Sequence, residues 1–287
     1  METVTIENEI LRVEARLNGA TLCSVVDKRN DEQLLYTGCD PRAWEESDVS
    51  IFPFVGRLKE GKYTVDGREY RMGIHGIVNV MRFSARQISA EEVELSVTDD
   101  GETRRQYPFR FRYAVRYRLD GDRLTTTLTA ENTDTRPLPC MLGGHQAYRL
   151  DAIERADETD TSMNSIVFAH KTYARVTLDE AGCFVAGSEP FVVDAPIPLG
   201  KETFRRYPTL MLKNVSGRVE VRRPTRTLVY DLGEVPVLAL WSHDKFGAYV
   251  CVEPWFGQPD TVEPNPELSQ KEGIRILKPQ ENFSYSY

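Results

Sequence analysis

The segment Phe109-Arg110-Phe111-Arg112-Tyr113-Ala114-Val115-Arg116-Tyr117-Arg118-Leu119 decides the fold class. Its odd-numbered positions are apolar or aromatic, and its even positions are mostly arginine. A period of two belongs to an extended strand, whose successive side chains point to opposite faces. One face is therefore buried and the other wet. After a turn at Asp120-Gly121-Asp122 the alternation resumes with Leu124, Thr126, Leu128 and Ala130. Further out, Leu11, Val13, Ala15 and Leu17 alternate with Arg12, Glu14 and Arg16, and Val93, Leu95 and Val97 alternate with Glu94 and Ser96. Asp66-Gly67 between Lys62–Val65 and Arg68–Met72 is a two-residue hairpin signal. Helical signals are sparse: Asp40-Pro41 could start one short helical turn running to Glu46. The polar stretch Leu150–Thr161 reads as an exposed loop. No repeated strand–helix–strand pattern is present, which argues against a parallel sheet. The expected fold is all-β, a large antiparallel β-sandwich, with residues 1–287 forming one domain.

Composition narrows the function classes. The chain has 287 residues, 40% hydrophobic and 28% charged, which is ordinary globular usage. Its net charge is −8, with no basic stripe, so a nucleic-acid partner is not expected. No apolar run approaches the ~20 residues of a membrane span, so no membrane partner is expected either. No secretory leader is evident at the N-terminus. Five cysteines, Cys23, Cys39, Cys140, Cys183 and Cys251, form no C-x-x-C pair. Reduced thiols in the cytoplasm are the expectation.

Candidate functional residues stand out by context. The chain has four histidines. His75 lies in Gly73-Ile74-His75-Gly76, and His145 in Gly143-Gly144-His145-Gln146-Ala147-Tyr148. Adjacent glycines admit close approach of backbone or ligand, although each histidine could also be an ordinary loop residue. Glu253 lies in Tyr249-Val250-Cys251-Val252-Glu253-Pro254-Trp255, apolar on both faces as in a central strand. A carboxylate there is costly unless partnered or used, so it is either a functional group or half of an ion pair. Arg57 ends Ile51-Phe52-Pro53-Phe54-Val55-Gly56-Arg57 and could fork onto sugar hydroxyls or pair with an acid. Trp255 and Trp241 could stack on a sugar's C–H face or simply pack. A metal held by His75, His145 and Glu253 stays open, because distant strands can converge. No phosphate loop, nucleophile elbow or dinucleotide fingerprint is present, and no cofactor or metal is expected.

In order along the chain, Phe-Pro-x-x-Gly-Arg at Phe52–Arg57 is followed by Asp-Gly-x-x-Tyr-x-Met at Asp66–Met72. His75-Gly76, Gly144-His145-x-Ala-Tyr148 and Val252-Glu253-Pro254-Trp255-x-Gly come next. This series resembles the aldose 1-epimerase, or galactose mutarotase-like, superfamily, in the branch related to LacX proteins. The resemblance implies a β-supersandwich with an open cleft, a monosaccharide substrate, and interconversion of α and β anomers. It further implies Glu253 as general base, His145 as general acid, His75 as a second active-site histidine and Arg57 as a holder of hydroxyls. This sequence departs from the pattern at Asn79, Gln146 and around Thr209, where relatives carry other residues. A non-catalytic carbohydrate-binding protein, or another carbohydrate-active enzyme, is the alternative on the same fold.

Overall fold

The structure, a computed structural model, describes residues 2–38, 40–185 and 187–287. Strand dominates, and the α-helices are single short stretches, Thr103–Gln106 and Lys201–Arg206. The segment that opened the reading forms the strand Phe111–Asp120, paired in unbroken antiparallel register with Arg123–Asn132. Its odd-numbered side chains Phe111, Tyr113, Val115, Tyr117 and Leu119 are buried. Its wet face carries Arg112 and Arg116, ion-paired with Glu94 and Glu92 on the neighbouring strand. Phe109 is buried but precedes the strand.

Five antiparallel strands make this sheet, in the order Asn282–Ser286, Arg123–Asn132, Phe111–Asp120, Glu92–Thr98 and Ser84–Ser89. A four-stranded sheet is built from Thr3–Glu7, Leu11–Arg16, Leu22–Asp27 and Glu32–Gln33. The largest sheet contains β1 (Leu142–Gly143), β2 (Gln146–Arg149), β3 (Thr209–Arg222), β4 (Thr227–Trp241) and β5 (Tyr249–Phe256). In it β3 pairs with β4, β4 with β5, and both β1 and β2 pair with the far side of β5. β5 is thus a central strand, and every residue from Tyr249 to Trp255 is buried. One apolar cluster runs from Ile6 to Tyr285 and joins the sheets. Its aromatic rings interlock, as where Phe52 stacks on Tyr113 at 5.1 Å and Phe256 meets Tyr285 at 4.4 Å. Truncating such a ring to alanine costs ~3–5 kcal/mol.

The hairpin at Asp66-Gly67 forms with Val65 opposite Arg68, and both turn residues have positive φ, +52° and +77°. That is the mirror-image turn whose twist matches the flanking strands. The turn expected from Asp40-Pro41 forms, with the Ala43 N–H donating to the Asp40 carbonyl at 3.0 Å, but it does not run on to Glu46. The Asp40 carboxylate caps it by accepting the Arg42 backbone N–H at 3.0 Å, and the Tyr36 hydroxyl donates to the Trp44 carbonyl at 2.9 Å just beyond it. The Leu150–Thr161 stretch contains a small ladder, Ile153–Glu154 against Thr159–Asp160. Cys39 lies outside the described residues, and the four described cysteines are free thiols. No helix among the described residues is long and apolar enough to cross a membrane.

Candidate functional site

Strand register brings two of the candidates together. β2 pairs with β5 as Gln146↔Val252 and Ala147↔Cys251, and β1 pairs with it as Gly143↔Trp255. Both stretches keep the same register, so His145, in the gap between them, stands opposite Glu253. Directly opposed residues on antiparallel strands have Cβ atoms ~4.5–5.5 Å apart, within side-chain reach. Here His145 Nε2 lies 3.2 Å from Glu253 Oε2. The preceding glycines make the approach possible. A Cβ on Gly143 would sit 2.8 Å from Trp255 Cδ1, and one on Gly144 would sit 2.1 Å from the Tyr287 hydroxyl oxygen. The groups those glycines admit are therefore the protein's own rings.

His75 arrives from a separate loop in a left-handed conformation, φ +63°. Its backbone N–H donates to the Gly56 carbonyl at 2.9 Å, and the Gly56 N–H donates to its Nδ1 at 3.2 Å. An accepting Nδ1 leaves the proton of the neutral ring on Nε2. The His75 and His145 rings meet edge to face, 5.2 Å between centroids.

The cluster is nearly sealed: His75 and His145 are each 8% exposed and Glu253 is 2% exposed. The resemblance implies an open cleft, whereas here the pair touch each other under cover. Burial sets their protonation. It pushes the Glu253 carboxyl well above its ordinary value, opposed in part by the nearby Trp255 indole N–H. It lowers His145 to about 4 and His75 well below its ordinary value, the latter also through repulsion from His145 and Arg57. Desolvation disfavours whichever form is charged, so acid and base move in opposite directions. Burial therefore favours the neutral form of each group, a pair that carries one proton, over the charged form of either.

Arg57 has an exposed side chain that makes no hydrogen bond or ion pair with any described residue. Its backbone carbonyl accepts the Asp260 N–H at 2.9 Å, and its Cδ would lie 2.8 Å from a Cβ on Gly182. Glycine at 182 thus leaves the slot through which the arginine runs. Trp255 is buried beside His75, at 5.9 Å, and its indole N–H satisfies no complete hydrogen bond. Trp241 is partly exposed and lies 6.2 Å from the His145 ring. Trp44, not singled out by the sequence reading, comes nearer, at 5.1 Å from His145. Its signal was a tryptophan set among polar residues of a turn; in the fold it packs against Trp241, Tyr249 and His145. The ligand atoms of His75, His145 and Glu253 all lie within 4.8 Å of one another, so these three could also converge on a cation.

Comparisons with known proteins agree with this architecture. The family model described as aldose 1-epimerase matches residues 2–287. Protein LacX (chromosomal) of Lactococcus lactis subsp. lactis is 24% identical over 295 residues, spanning 99% of this chain and 98% of the relative. The crystal structure of a galactose mutarotase related enzyme from Lactobacillus acidophilus superposes with a TM-score of 0.91 at 26% identity, covering 99% of this chain and 95% of that one. A galactose mutarotase-like protein from Lactobacillus casei ATCC 334 gives a TM-score of 0.89 at 22% identity, covering 99% and 98%, and shares the fold.

Proposed function

The chain belongs to the aldose 1-epimerase family, and from that premise we propose that it interconverts the α and β anomers of a free monosaccharide, with Glu253 and His145 moving the protons. The observation that carries this reading is the buried His145–Glu253 contact at 3.2 Å, between groups whose affinities for a proton are shifted in opposite directions.

Mutarotation moves one proton from the anomeric hydroxyl O1 to the ring oxygen O5. The C1–O5 bond breaks, the C1=O1 carbonyl forms, C1–C2 rotates, and the ring closes on the other face by the reverse transfers. O1 and O5 are both bonded to C1, so adjacent acid and base groups can address them together. A pair holding one proton donates it to O5 and accepts the one leaving O1, so the proton count balances without a nucleophile, metal or redox partner. Sugar hydroxyls entering the site replace lost hydration at Glu253 and favour its ionised form, with the proton passing to His145. That state has the glutamate as base and the imidazolium as acid. Each transfer is worth ~10²–10⁴-fold. His75, neutral with its proton on Nε2, donates a hydrogen bond to a sugar oxygen. Arg57 holds hydroxyls further out, Trp241 contacts the ring, and Trp255 lines the site behind His75.

Two further elements belong to this proposal. Residues 1–287 act as one domain, supported by the large cluster that runs from Ile6 to Tyr285 and draws on every large sheet. The location is cytoplasmic, supported by the free thiols Cys23, Cys140, Cys183 and Cys251.

Polarimetry on freshly dissolved aldoses tests the reading. The protein should speed the approach to anomeric equilibrium for at least one unmodified sugar. Saturable sugar binding with no acceleration on any aldose would replace the reading with a carbohydrate-binding one.

A further inference from the structure

Resting on the proposed anomer exchange, we propose that Trp44 is a substrate-contacting, specificity-determining residue that forms, with Trp241, a right-angled aromatic corner for the apolar C–H face of an uncharged pyranose. The two indoles meet at 86° with centroids 5.4 Å apart, and both flank the His145 ring. Both are partly exposed, whereas the His145 ring that they flank is buried, as is its partner Glu253. A sugar whose C1 reaches this pair past His145 meets these two indoles. A pyranose has one face rich in C–H groups, which packs on an aromatic face, while its hydroxyls stay at the edge. The Trp44 indole N–H makes no hydrogen bond to a described residue and is left for a sugar hydroxyl.

The position of Trp44 is built in rather than incidental. Its carbonyl accepts from the Tyr36 hydroxyl at 2.9 Å, and the Tyr36 ring packs on Tyr249 at 4.4 Å. Two residues earlier the Arg42 guanidinium lies over the Phe246 ring at 4.5 Å and pairs with Asp40 at 2.7 Å. These anchors hold the turn against the segment that leads into β5, the strand carrying Glu253. Trp44 packs on the small apolar cluster of Tyr36, Ala147, Tyr249 and Cys251, yet part of its ring stays in solvent beside the His145 ring.

The test measures kcat and KM for anomer exchange of glucose, galactose and xylose by the wild type, Trp44→Phe and Trp44→Ala. Trp44→Ala should raise KM about tenfold or more, with kcat within about threefold, and should alter the ranking of the sugars. Trp44→Phe should recover much of the loss. An unchanged KM and ranking in a folded Trp44→Ala would overturn the proposal. A titration of tryptophan emission with each sugar provides an independent readout. A sugar-dependent change that is clearly reduced in Trp44→Phe, Trp241 supplying the remainder, supports the contact even if no sugar is turned over, which would instead defeat the anomerase reading. Absence of any such change in the wild type overturns the contact, as does its survival unaltered in Trp44→Phe.

Discussion

Glu253 and His145 each sit where an isolated charge is costly, and burial shifts each towards its neutral form. That protonation predicts the pH dependence of the proposed reaction. The pair keeps one proton as long as pH stays above the His145 value, lowered to about 4, and below the raised value of Glu253. On the acid side kcat/KM should hold level through the ordinary histidine range near ~6.5 and fall only as pH drops through about 4. An acid limb near the ordinary histidine value would mean that His145 is not the desolvated partner. At this scale the sequence was informative wherever context was unusual: a carboxylate among valines, two histidines beside glycines. It could not place Trp44, because a loop tryptophan and a core tryptophan are the same letter. Nor could it tell Trp255, buried behind His75, from Trp241 at the surface of the site.

Elements were legible where the pattern was periodic. The alternation in Phe111–Asp120 and the turn chemistry of Asp66-Gly67 both carried through, because each depends on local geometry alone. The turn expected from Asp40-Pro41 forms and is capped by the Asp40 carboxylate, but it stops at Ala43 rather than Glu46, and the Tyr36 hydroxyl donates to the Trp44 carbonyl just beyond it. The segment that follows brings in a buried acid with a measurable signature. Asp48 accepts the Leu22 N–H at 2.9 Å and lies 3.4 Å from the Tyr117 hydroxyl. Burial pushes its carboxyl up to about 7. The folded protein therefore holds this proton more tightly than the unfolded chain, whose aspartate titrates near ~4. The stability this group contributes is full below that unfolded value, declines as pH rises towards about 7, and is flat above it. Denaturant midpoints for wild type and Asp48→Asn, compared across this range, should show the wild type losing stability relative to the variant as pH rises. A difference that stays constant or grows with pH would contradict the assignment.

Across the whole molecule, the site is a product of long-range register. Arg57 and His75 come from loops near the N-terminal third, His145 from the gap between β1 and β2, and Glu253 from β5, more than a hundred residues later. The all-β class was readable from period and turn residues. The fact that residue 145 stands opposite residue 253 was not, since pairing partners leave no local trace. The resemblance named both residues, and the sheet register gives the physical reason they meet. That meeting is the central claim: the two side chains act as one proton-handling unit, so neither retains much value without the other. A double-mutant cycle tests it most directly, with anomer-exchange rates measured by NMR for wild type, Glu253→Gln, His145→Ala and the double variant. Each single substitution should slow exchange ~10²-fold or more, and the double variant should be little slower than the worse single one. Losses that multiply, or a near-normal rate in Glu253→Gln, would contradict the account.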